Sequence, residues 1–313
     1  MHTLARGIAD EMGIRPTRTR RRRKASSPAN LDCAAAFQKI ALDCVTTIKA
    51  QHRAAGAGDA EAVHQVRVAI TRLRAAVAFF SPIAVDAEWL RLKAEMAWLN
   101  RFLGAARDGD VVVSYARRKR YQAWAQRMIG GHLDQGRTQD HLRLLRCLRS
   151  ARFQRLIVAL ARWINRGRWL ARWQRQVRRD GIEPLEDYCK RELKRWRERL
   201  IRKGRHLNKL DASRRHRLRI RVKRFRYMLE ALTETVAMRG RSGFHRVHRP
   251  AKRLQRVLGD LRDLERLDGL ARSPRAEDGT RRKKHPPGYR RQREKLLKAA
   301  IEAYRGLKQA DIF

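Results

Sequence analysis

At 313 residues the chain is long enough for one large domain or two medium ones, and hydrophobic residues make up 43% of it, which excludes wholesale disorder. Lys and Arg total 76 against 31 Asp and Glu, a formal net charge of +45. A fold with that excess repels itself unless a counter-anion sits on it, so the partner classes left open are nucleic acid, an anionic membrane surface and a phosphate polymer.

Residues 1–30 read as a disordered basic tail. The run Arg18-Thr19-Arg20-Arg21-Arg22-Arg23-Lys24 is followed by Ala25-Ser26-Ser27-Pro28. Such a tail can act as a non-specific arm for a polyanion, while Asp10 and Glu11 argue against an organelle-targeting segment. The N-terminus has no apolar stretch of the kind a signal peptide needs. The longest apolar run, Leu156 to Ala161, is far short of the ~18 residues of a membrane span.

From Leu31 onward apolar residues recur at spacings of three and four, and no stretch alternates as a strand would. Val63, Val66, Ile70, Leu73, Val77 and Phe80 set out one helix, with Asp59 as its N-cap and Pro82 just past its end. The expected fold class is all-α, with roughly ten helices for a chain of this size.

The sequence repeats itself. Val63 to Phe80 reads VHQVRVAITRLRAAVAFF and Arg215 to Leu232 reads RHRLRIRVKRFRYMLEAL. His64 matches His216, Arg67 matches Arg219, Arg72 matches Arg224 and Arg74 matches Arg226. A second pair follows in the same order. Leu99 to Val111 reads LNRFLGAARDGDV and Leu254 to Arg266 reads LQRVLGDLRDLER, so that Gly104, Arg107 and Asp108 match Gly259, Arg262 and Asp263. Recurrence of two motifs at nearly constant separation predicts a duplicated helical unit. The halves are set at 31–180 and 181–313, divided by the turn Asp180-Gly181-Ile182-Glu183-Pro184, and a charged loop is expected between about Ala271 and Gly288.

On a helical wheel at about 100° per residue, His64, Arg67, Thr71 and Arg74 form a stripe beside the apolar face, and Arg72 points elsewhere. In the second copy the stripe is His216, Arg219, Lys223 and Arg226. Cations at spacings of three and four repel along a helix, and an anion lying along the stripe would relieve that repulsion. Pairing of each base with a neighbouring acid is the alternative, but 31 acids cannot neutralise 76 bases. The two histidines are either hydrogen-bonded packing residues or groups that switch between neutral donor and cation near neutral pH. The Leu-Gly-x-x-Arg-Asp motif reads as structural: the glycines suit a helix C-terminus or a close backbone approach, and the aspartates suit a cap or the orientation of an arginine. Arg72 and Arg224 join the candidate site, with Lys49, Arg53, Arg195, Arg199 and Lys252 as further contributors chosen for position and charge.

Cys33, Cys44, Cys147 and Cys189 form no C-x-x-C pair and suggest no zinc site; buried free thiols in a reducing, cytoplasmic compartment are expected. His245-x-x-His248 has helical spacing, and Asp108 with Asp110 could hold Mg²⁺, but each pair alone is weak and no metal or cofactor is expected. No Walker A loop, H-E-x-x-H or G-x-S-x-G elbow occurs, so an enzyme such as a phosphohydrolase is disfavoured. Nucleic acid remains the second choice of partner. The charge fits it, but no zinc finger or RNP-like signature is present, and Trp163, Trp169 and Trp173 fall in core register. The oligomeric state is not readable.

The motifs His64-x-x-Arg67 with Arg72-Leu73-Arg74, His216-x-x-Arg219 with Lys223-Arg224-Phe225-Arg226-Tyr227, Leu103-Gly104-x-x-Arg107-Asp108 and Leu258-Gly259-x-x-Arg262-Asp263 together resemble CHAD domains, over nearly everything from Leu31 onward. The resemblance implies two four-helix bundles related by pseudo-symmetry. It also implies a basic channel or groove that binds inorganic polyphosphate, association with polyphosphate granules, and no catalysis by the domain itself. One departure stands out: Thr71 occupies a place where the family usually has an arginine, so the first half is expected to contribute less charge. No acidic, strand-rich segment is present that could form the triphosphatase domain many relatives carry.

Overall fold

The computed structural model describes residues 32–129, 132–235, 241–271 and 285–311. The basic tail and most of the charged loop expected after Ala271 lie outside the described residues. Among the described residues there is no strand.

Polar side chains that occupy the free amides of a first turn set the helix starts. Asp32 caps α1 (Cys33–Gly56) by accepting from the Ala35 amide at 2.7 Å. Asp59 caps α2 (Ala60–Phe79) through the amides of Glu61 and Ala62 at 2.8 and 3.0 Å, as the sequence predicts. Pro82 lies in the first turn of the short α3 (Ser81–Ala84), where a missing N–H costs nothing. Asp86 caps α4 (Ala87–Ala116), and its carboxylate also accepts from the Trp163 indole at 3.1 Å. Then follow α5 (Lys119–Ile129), α6 (His132–Arg149), α7 (Ala151–Arg166), α8 (Arg168–Asp180) and α9 (Leu185–Gly204). A 3-10 turn at Leu207–Lys209 leads to α10 (Ala212–Thr235), α11 (Arg241–Ala271) and α12 (Tyr289–Gln309).

Two closed rings of four helices carry the fold. In the first, α1 packs on α2, α2 on α4, α4 on α6, and α6 back on α1. In the second, α9 packs on α10, α10 on α11, α11 on α12, and α12 back on α9. The last closure is tight: a Cβ at Gly204 would lie 2.4 Å from the Tyr304 ring, so only glycine lets α9 approach α12 this closely. Outside the first ring, α7 leans on α1 and α4, and α8 covers α3.

The rings meet along a seam where α2 packs on α10 and α4 on α11. Tyr188 of α9 pins one end of it, donating its hydroxyl to the Phe79 carbonyl at 2.8 Å and stacking on Phe80. The predicted apolar series of α2, Val63 through Phe80, is buried throughout. Trp163 and Trp169 are fully buried around Phe37, and Trp173 nearly so, in the core register their spacing implied. All four cysteines are free and buried.

Candidate functional site

The seam gathers most of the candidate residues. From α10, Arg219, Lys223 and Arg226 project from one face at i, i+4 and i+7. From α2 come His64 and Arg67, from α4 Arg107, and from α11 Arg262.

Arg67 is anchored by the backbone of the neighbouring helix, its Nη1 donating to the carbonyls of Leu103 and Gly104 at 3.0 and 3.1 Å. A Cβ at Gly104 would stand 3.9 Å from that nitrogen, and one at Gly259 would stand 3.5 Å from Nε of Arg219. Each glycine of the Leu-Gly-x-x-Arg-Asp motif therefore offers bare backbone to the motif arginine of the adjacent helix. Both lie well inside long helices, α4 and α11, so neither ends a helix, and a Cβ at either would meet the arginine only at ordinary van der Waals distance.

The motif aspartates likewise sit mid-helix and cap nothing. Asp108 accepts from Arg266 of α11 at 2.8 Å and lies 3.9 Å from Arg67 of α2, so it orients arginines from both rings. Burial pushes the Asp263 carboxyl above its usual range, against the pull of the nearby Arg219. Of the two uses the sequence left open for Asp108, a cap or the orientation of an arginine, the contacts are those of the second, and Arg107, Arg262 and Arg266 join the candidate site beside it. The signal was present in the sequence. Leu92, Met96, Leu99, Leu103 and Ala106 keep helical spacing through the motif, which leaves no helix start for Asp108 to cap.

Crowded cations in a half-buried place depress one another's pKa values. Burial, followed by Arg219, Arg67, Arg226 and Arg107, lowers the Lys223 ammonium to about 7. Burial and Arg107 lower His64; burial and Arg262 lower His216. Nη1 of Arg262 stands against both ring nitrogens of His216. The Nε of Arg219 is buried without a hydrogen-bond partner.

The remaining predicted residues sit as follows. Arg72 leaves the stripe, as the wheel implied, and meets Glu230 at 3.5 Å and Glu234 at 3.6 Å beside the Tyr227 ring. Arg74 is not at the central cluster. It neighbours Arg224, whose pKa is lowered first by burial and then by Arg74 and Arg221. Arg226 donates to Gln255 at 2.9 Å and also contacts Glu230, which takes His248 at 2.7 Å as well. Lys252 is exposed and lines a depression with Arg226, Arg249, Arg253 and Arg256, where Glu302 is the sole carboxylate. Arg195 pairs with Glu192 at 2.8 Å on its own helix. Lys49 and Arg53 are exposed near the end of α1, and Arg199 is exposed on α9; none of the three touches the cluster.

Among the described residues no group of three His, Cys, Asp or Glu side chains could hold a metal ion. Asp110, the partner considered for Asp108, instead accepts from Arg137 at 2.7 Å and contacts His141 at 2.9 Å. Within the described residues no helix is long and apolar enough to cross a membrane.

The arrangement matches known folds. The crystal structure of the CHAD domain from the plant Ricinus communis superposes with a TM-score of 0.69 at 24% identity, over 90% of this chain and 94% of that one. PptA from Streptomyces chartreusis superposes with a TM-score of 0.54 at 15% identity, over 89% and 97%. A search of curated proteins finds no match. The CHAD domain profile matches residues 39–272, which span both motif pairs and the seam between the rings, and the chain belongs to the CHAD domain family.

Proposed function

We propose that this chain binds inorganic polyphosphate at the seam between its two rings and does not turn it over. The observation that carries the reading is the convergence of Arg67, Arg107, Arg219, Lys223, Arg226 and Arg262 from four helices in one half-buried place. Two unit charges 4 Å apart repel by about 4 kcal/mol at the effective dielectric of a protein surface. A ligand with a negative charge on every repeating unit converts that repulsion into charge-assisted hydrogen bonds to non-bridging oxygens. Asp108 and Asp263 offset only part of the charge.

The geometry favours a chain of bare phosphates over a duplex. The cations come from four helices that meet at the seam, so they present charge at one compact place and not along an extended duplex-sized face. Trp163, Trp169 and Trp173, the tryptophans weighed as stacking platforms, are in the core. The depression along Arg249, Lys252, Arg253 and Arg256 adjoins the cluster through Arg226 and extends the basic track. Turnover would need an activated water or nucleophile, and two of the nearby carboxylates, Asp108 and Glu230, are committed to arginines. Association with polyphosphate granules in the cytoplasm is the cellular role this binding would serve.

The test is calorimetric titration of the full chain at physiological salt with long-chain polyphosphate and with a DNA duplex. Tight polyphosphate binding, weak DNA binding, and loss of the former in a folded Arg67→Gln/Arg219→Gln variant are expected. Equal or preferential DNA binding, or undiminished polyphosphate affinity in that variant, would overturn the reading.

A further inference from the structure

We infer that polyanion binding at the seam is coupled to uptake of a proton by the Lys223 amine, so the site holds its ligand more tightly as pH falls toward neutral. The inference rests on the polyphosphate reading and adds regulation to that site.

Lys223 is unusual among the cations of this chain. Its own helix places Arg219 one turn before it and Arg226 one turn after it. Across the seam it faces Arg67 and His64 of α2 and Arg107 of α4. Arg262 of α11 stands beside His216 and Arg219, and the nearby carboxyl groups, Asp108 and Asp263, are directed at Arg67, Arg266 and Arg219. The ammonium lies over the Tyr227 ring, 5.4 Å from Nζ to its centroid. His64 and His216 are already depressed toward the neutral form, and the other members of the cluster are guanidiniums, which cannot shed charge. The amine is the one cation here that can relieve the crowding by giving up its proton.

The consequence is a linkage. In the free protein the Lys223 ammonium titrates at about 7, so above that pH the amine is mostly neutral. A phosphate chain laid across the guanidiniums cancels their repulsion and restores the charged form. Binding above neutral pH therefore takes up close to one proton. Affinity falls about tenfold per pH unit over the window that opens at the free-state value and closes at the bound-state value. His64 and His216, both depressed below ordinary histidine values, add further uptake only on the acid side of that window.

The experiment is titration of the full chain with long-chain polyphosphate at pH 8, in two buffers of different ionisation enthalpy, for wild type and Lys223→Arg. The difference in heat between buffers counts the protons. Close to one proton for wild type and none for Lys223→Arg is expected. Binding without proton uptake in wild type overturns the coupling and leaves the polyphosphate reading standing. Uptake that persists in Lys223→Arg overturns the assignment to this residue. Failure to bind at any pH from 6 to 9 removes the polyphosphate reading itself. Independently of ligand, the ¹³Cε resonance of Lys223, assigned by its loss in the variant, is expected to titrate near 7 in the free protein. A midpoint near the ordinary lysine value of about 10.4 overturns the inference.

Discussion

Asp108 of α4 accepts from Arg266 of α11 at 2.8 Å, and the same carboxylate lies 3.9 Å from Arg67 of α2. One acid thus serves guanidiniums from both rings, and it is a fixed internal anion where the bound anion is proposed to lie. Replacing Asp108 with Asn removes the charge and leaves the arginines to repel across the seam. The group is a third exposed, so the expected loss of folding stability is modest, about 1 kcal/mol. Added polyphosphate is expected to restore more thermal stability to Asp108→Asn than to wild type, because the ligand supplies the missing charge. Melting curves with and without ligand check this; an equal ligand-induced rise in the two proteins would separate Asp108 from the site.

Glu230 is the second internal anion, holding Arg72, Arg226 and His248. A bound chain must compete with it for Arg226. The variant Glu230→Gln is expected to bind polyphosphate several-fold more tightly while melting at a lower temperature, since its bases lose a partner in the free protein. Titration beside thermal denaturation reads both effects. Weaker binding would show that Glu230 positions Arg226 for the ligand instead of competing for it.

The motif glycines make a steric prediction. A Cβ at Gly259 would stand 3.5 Å from Nε of Arg219, an ordinary van der Waals distance, so Gly259→Ala should fit and gain helix propensity of up to about 1 kcal/mol. A larger side chain cannot share that space. Gly259→Leu is expected to keep its helicity by circular dichroism and to lose polyphosphate affinity by displacing Arg219.

Much of this fold was legible in the sequence, because periodicity and capping are local. The apolar steps from Val63 to Phe80 and the Asp59 cap mark α2 without reference to anything distant. The site was legible only in part. The wheel set Arg72 apart from Arg67 correctly, since both belong to one helix, but it grouped Arg74 with Arg67. Which arginine meets which depends on how α2 crosses α10, and no single-helix projection contains that crossing. The same limit hid Asp108. Its partner Arg266 comes from a helix more than 150 residues later in the chain, so the sequence left open whether its carboxylate caps a helix or orients an arginine, and which arginine.

Thr71 stands where an arginine would extend the α2 stripe, and its hydroxyl is turned back onto the Arg67 carbonyl at 2.8 Å. Thr71→Arg adds a cation near the cluster. The logarithm of polyphosphate affinity against the logarithm of salt concentration is expected to steepen by about one, the release of one further counterion. An unchanged slope would place residue 71 outside the ligand's path.

The free protein's stability should also depend on pH through Lys223. Its folded pKa is depressed to about 7, whereas an unfolded lysine titrates near 10.4. Between those values the unfolded chain binds a proton that the folded chain does not, so stability rises with pH across the window and levels off below it. Lys223→Met removes the titrating group and leaves an apolar chain over the Tyr227 ring. It is expected to be more stable than wild type at pH 7 to 8 without ligand, and to show a flatter rise toward pH 10. Chemical denaturation across that range decides the matter. A wild-type profile with no rise would mean that the ammonium stays charged in the fold.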